Sequence, residues 1–194
     1  MRSQKLSLYF TLGFVLLVLL ALSGCSQAPQ AEKTPEKTPK SMQKVTVQIE
    51  FSTFPKKYTC DGADISPEIK ISGVAENAKS LAIILDDPDA PIGTFTHWIV
   101  WNIPASKEVV IPEAFPKDSV VEKPLKAVQG VNDFRKVGYG GPCPPPGKPH
   151  RYFFKVYVLN DELDLKLKAK RKDLERAMEG KVIQYGEVMA TYGR

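Results

Sequence analysis

Only two histidines, His97 and His150, occur in the 194-residue chain, and both sit beside unusual segments. Imidazole exchanges a proton near neutral pH, ligates metals and donates to anions, so scarce histidines in special surroundings are candidates for chemistry. His97 follows an acidic turn, residues 86–93, whose sequence DDPDAPIG carries Asp86, Asp87 and Asp89. His150 ends residues 132–149, which hold Gly138, Gly140, Gly141 and Gly147 with Pro142, Pro144, Pro145, Pro146 and Pro149. Such a run cannot form a helix or a central strand. It is an ordered loop or a lid, and loops are where binding residues concentrate. The plain alternative for either histidine is a hydrogen-bonded core or rim residue.

Three chemistries compete. A metal centre built on two histidines and a carboxylate is conceivable, but H-x-x-x-H, H-E-x-x-H and C-x-x-C spacings are absent, so no metal is expected. A hydrolase needs an activated nucleophile beside a base. There is no G-x-S-x-G, and the candidate nucleophile is Cys143, within a proline run and near His150. An anion pocket fits better. Glycine-rich backbone presents N–H groups to an anion, and a histidine adds a donor. Prolines stiffen the rim and lower the ordering cost of binding. Neighbouring aspartates would fix the imidazole tautomer and raise its pKa. A phosphate or carboxylate head suits such a site, and no cofactor is implied.

The elements that must position these residues are mainly strands. Residues 44–51 alternate, with Val45, Val47, Ile49 and Phe51 on one face, and read as one half-buried strand. Residues 52–68 are rich in turn formers. Residues 80–85 form a short apolar run typical of a central strand, and 95–103 form a second, closed by Pro104. Simple alternation sets Trp98 opposite His97 and Trp101 on the same face as His97. A short strand is expected at 109–111, irregular chain at 112–123, and strands again at 151–159 and 182–192. Residues 170–181 carry Leu174, Ala177 and Met178 at helical spacing, predicting about three turns of helix ending near Gly180. This order predicts a mainly β fold: a two-sheet, largely antiparallel β sandwich with short peripheral and C-terminal helices.

The first 25 residues read differently. Arg2 and Lys5 precede an uncharged run from Leu6 to Leu22, followed by Ser23-Gly24-Cys25. Small residues directly before a cysteine resemble a bacterial lipoprotein signal, with Cys25 lipidated after cleavage. A retained anchor is the other reading, and the run is short for a spanning helix. Residues 26–41 repeat E-K-T-P, hold no large apolar side chain and read as an extended, solvated linker. The globular domain is then 42–194, extracytoplasmic and lipid-anchored. Ser26 after the cysteine favours the outer membrane if the cell has one, by resemblance to the lipoprotein sorting rule.

Composition narrows the field further. About 150 globular residues bury roughly 70% of their unfolded surface and need no disulfide scaffold. Setting Arg2 and Lys5 aside leaves 25 basic against 22 acidic residues, too mild an excess to argue for nucleic acid.

Taken together, Asp87-Pro88-Asp89-Ala90-Pro91, Thr96-His97-Trp98, Gly138 to Pro145 (GYGGPCPP) and Pro149-His150-Arg151-Tyr152 resemble the phosphatidylethanolamine-binding protein family, in its prokaryotic Raf kinase inhibitor-like branch. The resemblance spans nearly all of 44–194. It implies a β sandwich with a small pocket for phosphate, carboxylate or a phospholipid head group. It assigns that pocket to Asp87, His97, Gly141, His150 and Tyr152, with Asp89 supporting the loop and the histidines. Glycine-loop N–H groups and His97 would donate to the anion, Tyr152 would line the wall, and Asp87 would orient a histidine or accept from an ammonium group. The implied role is non-catalytic binding of a small anionic ligand or head group. Some members of this branch are described as protease inhibitors, which makes a protease the alternative partner, and a hydrolase-like use of His97 or His150 is the remote third reading. Cys60 and Cys143 both lie in loops beside this pocket; outside the membrane they can form a disulfide, or remain two separate thiols.

Overall fold

The computed structural model describes residues 43–194. The leader, Cys25 and the linker lie outside the described residues. Ten strands form two sheets: β1 Gln43–Lys44, β2 Thr46–Gln48, β3 Ile69–Ser72, β4 Ser80–Asp87, β5 Phe95–Pro104, β6 Glu108–Ile111, β7 Val120–Val121, β8 Ala127–Gln129, β9 His150–Leu159 and β10 Val182–Tyr192. The larger sheet runs β1-β10-β9-β4-β5-β8-β7 and the smaller β2-β3-β6. All pairings between strands are antiparallel except β1 with β10. The expected two-sheet β sandwich is the observed architecture. Among the described residues the helical part is one α-helix, α1 Arg171–Met178, and a single 3-10 turn at Lys56–Tyr58.

β4 is the centre of the large sheet, between β5 and β9, and all eight of its residues are buried. A strand covered on both faces reads as a continuous apolar run, which is what 80–85 shows. Its period of two sends Leu81, Ile83 and Leu85 into the core between the sheets and Ala82 and Ile84 into a second core on the outer face. The first core joins Ile69, Ile71, Val109 and Ile111 of the small sheet to Trp98, Phe154 and Val156 of the large one. The second is closed by Leu163, Ala169, Leu174 and Met178, so α1 makes a third layer.

The alternation at 44–51 is correct, but its single strand is divided. The chain leaves the large sheet after Lys44 and joins the small one at Thr46. This crossing passes so close to β10 that a Cβ at Gly186 would lie 2.1 Å from the Val45 carbonyl oxygen. The helix is two turns rather than three, because Glu179 already leaves helical geometry (ψ 127°) to begin the turn into β10. β3, β7 and β8 were not anticipated. They are two to four residues long, too short for alternation to register.

Candidate functional site

β4 runs antiparallel to both β5 and β9, so its C-terminal end lies beside their N-terminal ends, with Asp87 opposite Phe95 and Asp86 opposite Phe153. This topology gathers Asp87, His97, His150 and Tyr152 from three strands. Asp86 and Asp87, adjacent in sequence, take opposite faces. Asp86 turns to the outer side and meets Lys155 Nζ at 2.8 Å and Arg171 at 2.7 Å. Asp87 turns to the cleft.

His97 reaches the cleft through a β-bulge. Leu85 pairs with Trp98 and Asp86 with Thr96, which leaves His97 as the extra residue of β5. A bulge re-aims a side chain and breaks alternation. The expected faces of the tryptophans are therefore corrected. Trp98 belongs to the inter-sheet core, on the same side as His97, whereas Trp101 packs in the outer core beneath α1. His97 stacks edge-on against Tyr152, at 5.2 Å between ring centroids, and Tyr152 belongs to the inter-sheet core.

The polar floor is tightly bonded. His97 donates Nδ1–H to the Gly140 carbonyl at 2.7 Å, and Gly140 N–H returns a bond to the His97 carbonyl at 3.0 Å. A carbonyl only accepts, so the proton sits on Nδ1 and Nε2 carries the lone pair in the neutral ring. Burial pushes the His97 pKa down, against weaker upward pulls from Gly140 and Asp87. The expected upward shift is thus reversed at His97: loss of water outweighs the aspartates. His150 donates Nδ1–H to Asp87 Oδ2 at 2.7 Å, while Asp87 Oδ1 accepts from Asp89 N–H at 2.8 Å. Tyr152 is fully buried, and its hydroxyl has no hydrogen-bond partner among the described residues. Burial, aided by the Asp87 charge and by a weak contact with that carboxylate beyond ordinary hydrogen-bond geometry, drives its pKa far upward, so it stays protonated.

These four side chains line a cleft of about 250 Å³ with Ala90, Pro91, Ile92, Phe95, Phe134, Cys143, Pro144 and Pro145. Among the described residues the lining holds no lysine or arginine. Two expected members stand elsewhere. Asp89 is taken by Arg151, accepting from its backbone N–H, Nε and Nη2 at 2.7–2.9 Å. This pairing holds its carboxyl down at about 2. It ties the acidic turn to β9 and bonds to neither imidazole. Gly141 does not line this cleft; it borders a neighbouring depression. Its N–H is donated to Asp64 Oδ1 at 2.6 Å, and a Cβ there would lie 2.2 Å from the Tyr58 carbonyl oxygen. Gly138 and Gly141 therefore serve close backbone packing. The N–H groups of Gly138, Gly140, Gly141 and Gly147 are all bonded within the protein.

The family model described as phosphatidylethanolamine-binding protein matches residues 45–193. The chain belongs to this family. A UPF0098 protein of Pyrococcus abyssi is 58% identical over 142 residues, covering 73% of this chain and 79% of that protein. Two crystal structures of PEBP-family proteins share the fold. Chlamydia trachomatis CT736, described as a putative PEBP homolog, has a TM-score of 0.68 and 34% identity, covering 78% of this chain and 99% of that one. Escherichia coli YbcL, described as a new member of the mammalian PEBP family, has a TM-score of 0.70 and 32% identity, covering 79% and 99%.

In this PEBP-family domain the apolar wall of the cleft escaped the sequence reading. Phe134 packs edge-on against both Phe95 and His97, at 4.7 and 5.4 Å, and Ile92 stands 87% exposed at the rim. Neither lies in a periodic segment, so nothing short of the folded loops brings them together. Cys60 and Cys143 are joined by a disulfide, with Cα atoms 5.4 Å apart.

Proposed function

We propose that this domain captures a small acidic head group, a phosphoryl or carboxylate, in the cleft formed by Asp87, His97, His150 and Tyr152, without transforming it. The observation that carries the reading is the Tyr152 hydroxyl, fully buried on the cleft floor and unpartnered. A buried hydroxyl without a partner is costly, and a ligand oxygen reaching the floor would relieve it. The lining also favours binding over catalysis: its sulfur, Cys143, is held in a disulfide, and among the described residues no serine, threonine or lysine lines the cleft.

The donors available constrain the ligand. Among the described residues the lining holds no lysine or arginine, the glycine N–H groups are engaged, and both imidazole Nδ1–H groups are already donated, to Gly140 and to Asp87, so an anion must rely on Tyr152 O–H as its donor. Neutral His97 presents a lone pair at Nε2, which repels a bare oxyanion. The best fit is a head that brings its own proton, such as a phosphate monoanion or a phosphoryl carrying an ammonium group. In this reading the sequence features at 1–41, a leader ending at Cys25 and an extended linker, tether the module to the outer face of a membrane.

The test is a titration of the full chain with phosphate and with phosphoethanolamine across pH 5–8, following the side-chain signals of His97 and His150 by NMR. Saturable shifts of both, lost in Asp87→Ala, are expected. Absence of any shift at millimolar ligand overturns the reading. For the tether, Cys25→Ala should move the protein from the detergent phase to the aqueous phase on detergent partitioning.

A further inference from the structure

The Cys60–Cys143 bridge stands at the mouth of the cleft rather than in the core. Both cysteines are exposed. Cys143 lines the cleft, and with Cys60, Lys117 and Lys136 it also lines the neighbouring depression of about 380 Å³, so the bridge forms the ridge between the two. On its N-terminal side the loop is well tied. Tyr139 donates its hydroxyl proton to the Tyr58 carbonyl at 2.6 Å, Gly141 N–H is held by Asp64, and Cys60 N–H donates to the Pro142 carbonyl at 3.1 Å. On its C-terminal side, four of residues 144–149 are proline and lack an N–H group. Their backbone tie is Gly147 N–H to the Arg194 carbonyl at 3.3 Å. The disulfide is therefore the last firm anchor before the wall made by Pro144 and Pro145.

A cation sits beside the bridge. Arg194 Nη1 lies 3.9 Å from Cys143 Sγ, while its Nη2 meets Asp61 Oδ1 at 3.1 Å. Asp61 also accepts the Tyr192 hydroxyl at 2.6 Å, so its charge is shared. A positive neighbour lowers the cost of a thiolate, and a better leaving thiolate speeds exchange.

We infer that this bridge is a thiol-exchange site for dithiol reductants and that its state sets the ligand affinity of the cleft; the second part rests on the ligand reading above. A dithiol, as its thiolate, attacks Cys60 Sγ; the Cys60–Cys143 bond breaks and Cys143 leaves as a thiolate beside Arg194. The second thiol of the reductant, deprotonated in turn, attacks the mixed disulfide and releases Cys60. Two electrons pass from the dithiol to the bridge, the dithiol becomes a disulfide, and the two protons it gave up end on Cys60 and Cys143. With the anchor gone, residues 144–149 must be ordered again by each ligand. Reordering about one residue's worth of backbone weakens binding by roughly tenfold.

The experiment treats the full chain with dithiothreitol, traps thiols by alkylation and maps them by peptide mass, which counts Cys25 separately. Reduction should occur from the native state, with a rate proportional to dithiothreitol and well above the global unfolding rate extrapolated from urea. Arg194→Gln should slow it several-fold. Phosphoethanolamine should then bind the reduced chain, and the unreduced Cys60→Ser/Cys143→Ser variant, about tenfold more weakly than the oxidised chain. Reduction no faster than unfolding, or an Arg194→Gln rate equal to wild type, overturns the exchange site. Equal affinities of the oxidised and reduced chains overturn the control of binding. No binding by either form refutes the ligand reading, and with it the control of affinity, while the reduction rates still decide the exchange.

Discussion

Tyr152→Phe should raise stability and lower ligand affinity at once. The hydroxyl is buried at the cleft floor and has no hydrogen-bond partner among the described residues, so removing it relieves a desolvation cost of about 1–3 kcal/mol. Loss of the contacts of one oxygen offsets part of this, and a net gain of about 1 kcal/mol is expected, or about 2–4 °C in Tm for a domain of this size. A hydrogen bond to an anionic ligand contributes about 1.5–3 kcal/mol, so affinity for phosphoethanolamine should fall tenfold or more. The two effects meet in one assay. At ligand 100-fold above the wild-type Kd, wild type gains about 2.7 kcal/mol, whereas a variant binding tenfold more weakly gains only about 1.4 kcal/mol. Scanning calorimetry should thus show Tyr152→Phe melting above wild type without ligand and losing that lead as ligand is added. A variant less stable than wild type by more than about 1 kcal/mol, or one with unchanged affinity, refutes the argument.

Other outcomes follow from the same geometry. The lowered pKa of buried His97 means the unfolded chain takes up a proton first as pH falls. Stability is therefore full above about 6.5 and declines below it, towards the folded pKa; thermal melts between pH 7.5 and 5.5 should show a shallower slope in His97→Gln. Asp89, held at about 2 by Arg151, should titrate nearer 3.8 in Arg151→Ala, read from its carboxyl carbon signal by NMR. Arg171→Ala leaves the fully buried Asp86 with Lys155 as its remaining ion-pair partner and should cost about 2–3 kcal/mol, below the loss for an entirely unpaired buried charge; urea melts measure it. Cys60→Ser/Cys143→Ser opens a loop spanning 83 residues, and the chain-entropy model sets its cost at about 4–5 kcal/mol, checked by the urea midpoint.

The strands that position the site were legible because their apolar patterns are long. β4 and β9, eight and ten residues, bury alternating or continuous faces that no other element type explains. The histidines stood out because they are scarce and abut proline-rich turns; Asp87 was separated from Asp86 and Asp89 by the family resemblance alone. Asp89 and Gly141 were harder. The same turn could point either carboxylate inward, and a glycine can serve an anion or a close backbone approach. That choice depends on Arg151 lying against Asp89, 62 residues away in the chain, and on Asp64, 77 residues away, and the more distant Tyr58 crowding Gly141.

Composition, periodicity and turn chemistry by themselves determined a mainly β domain, its central strands and the segments that flank its site, because each depends on neighbours a few residues apart. Tertiary structure alone decided which way His97 points, since the bulge exists only in the pairing of β4 with β5. It alone decided that the His97 ring is held neutral, since desolvation is a property of everything packed around it. The Tyr152 hydroxyl, without a hydrogen-bond partner among the described residues, is of the same kind: a tyrosine in a strand is ordinary, and only the packing of distant segments around its ring decides whether its proton finds an acceptor.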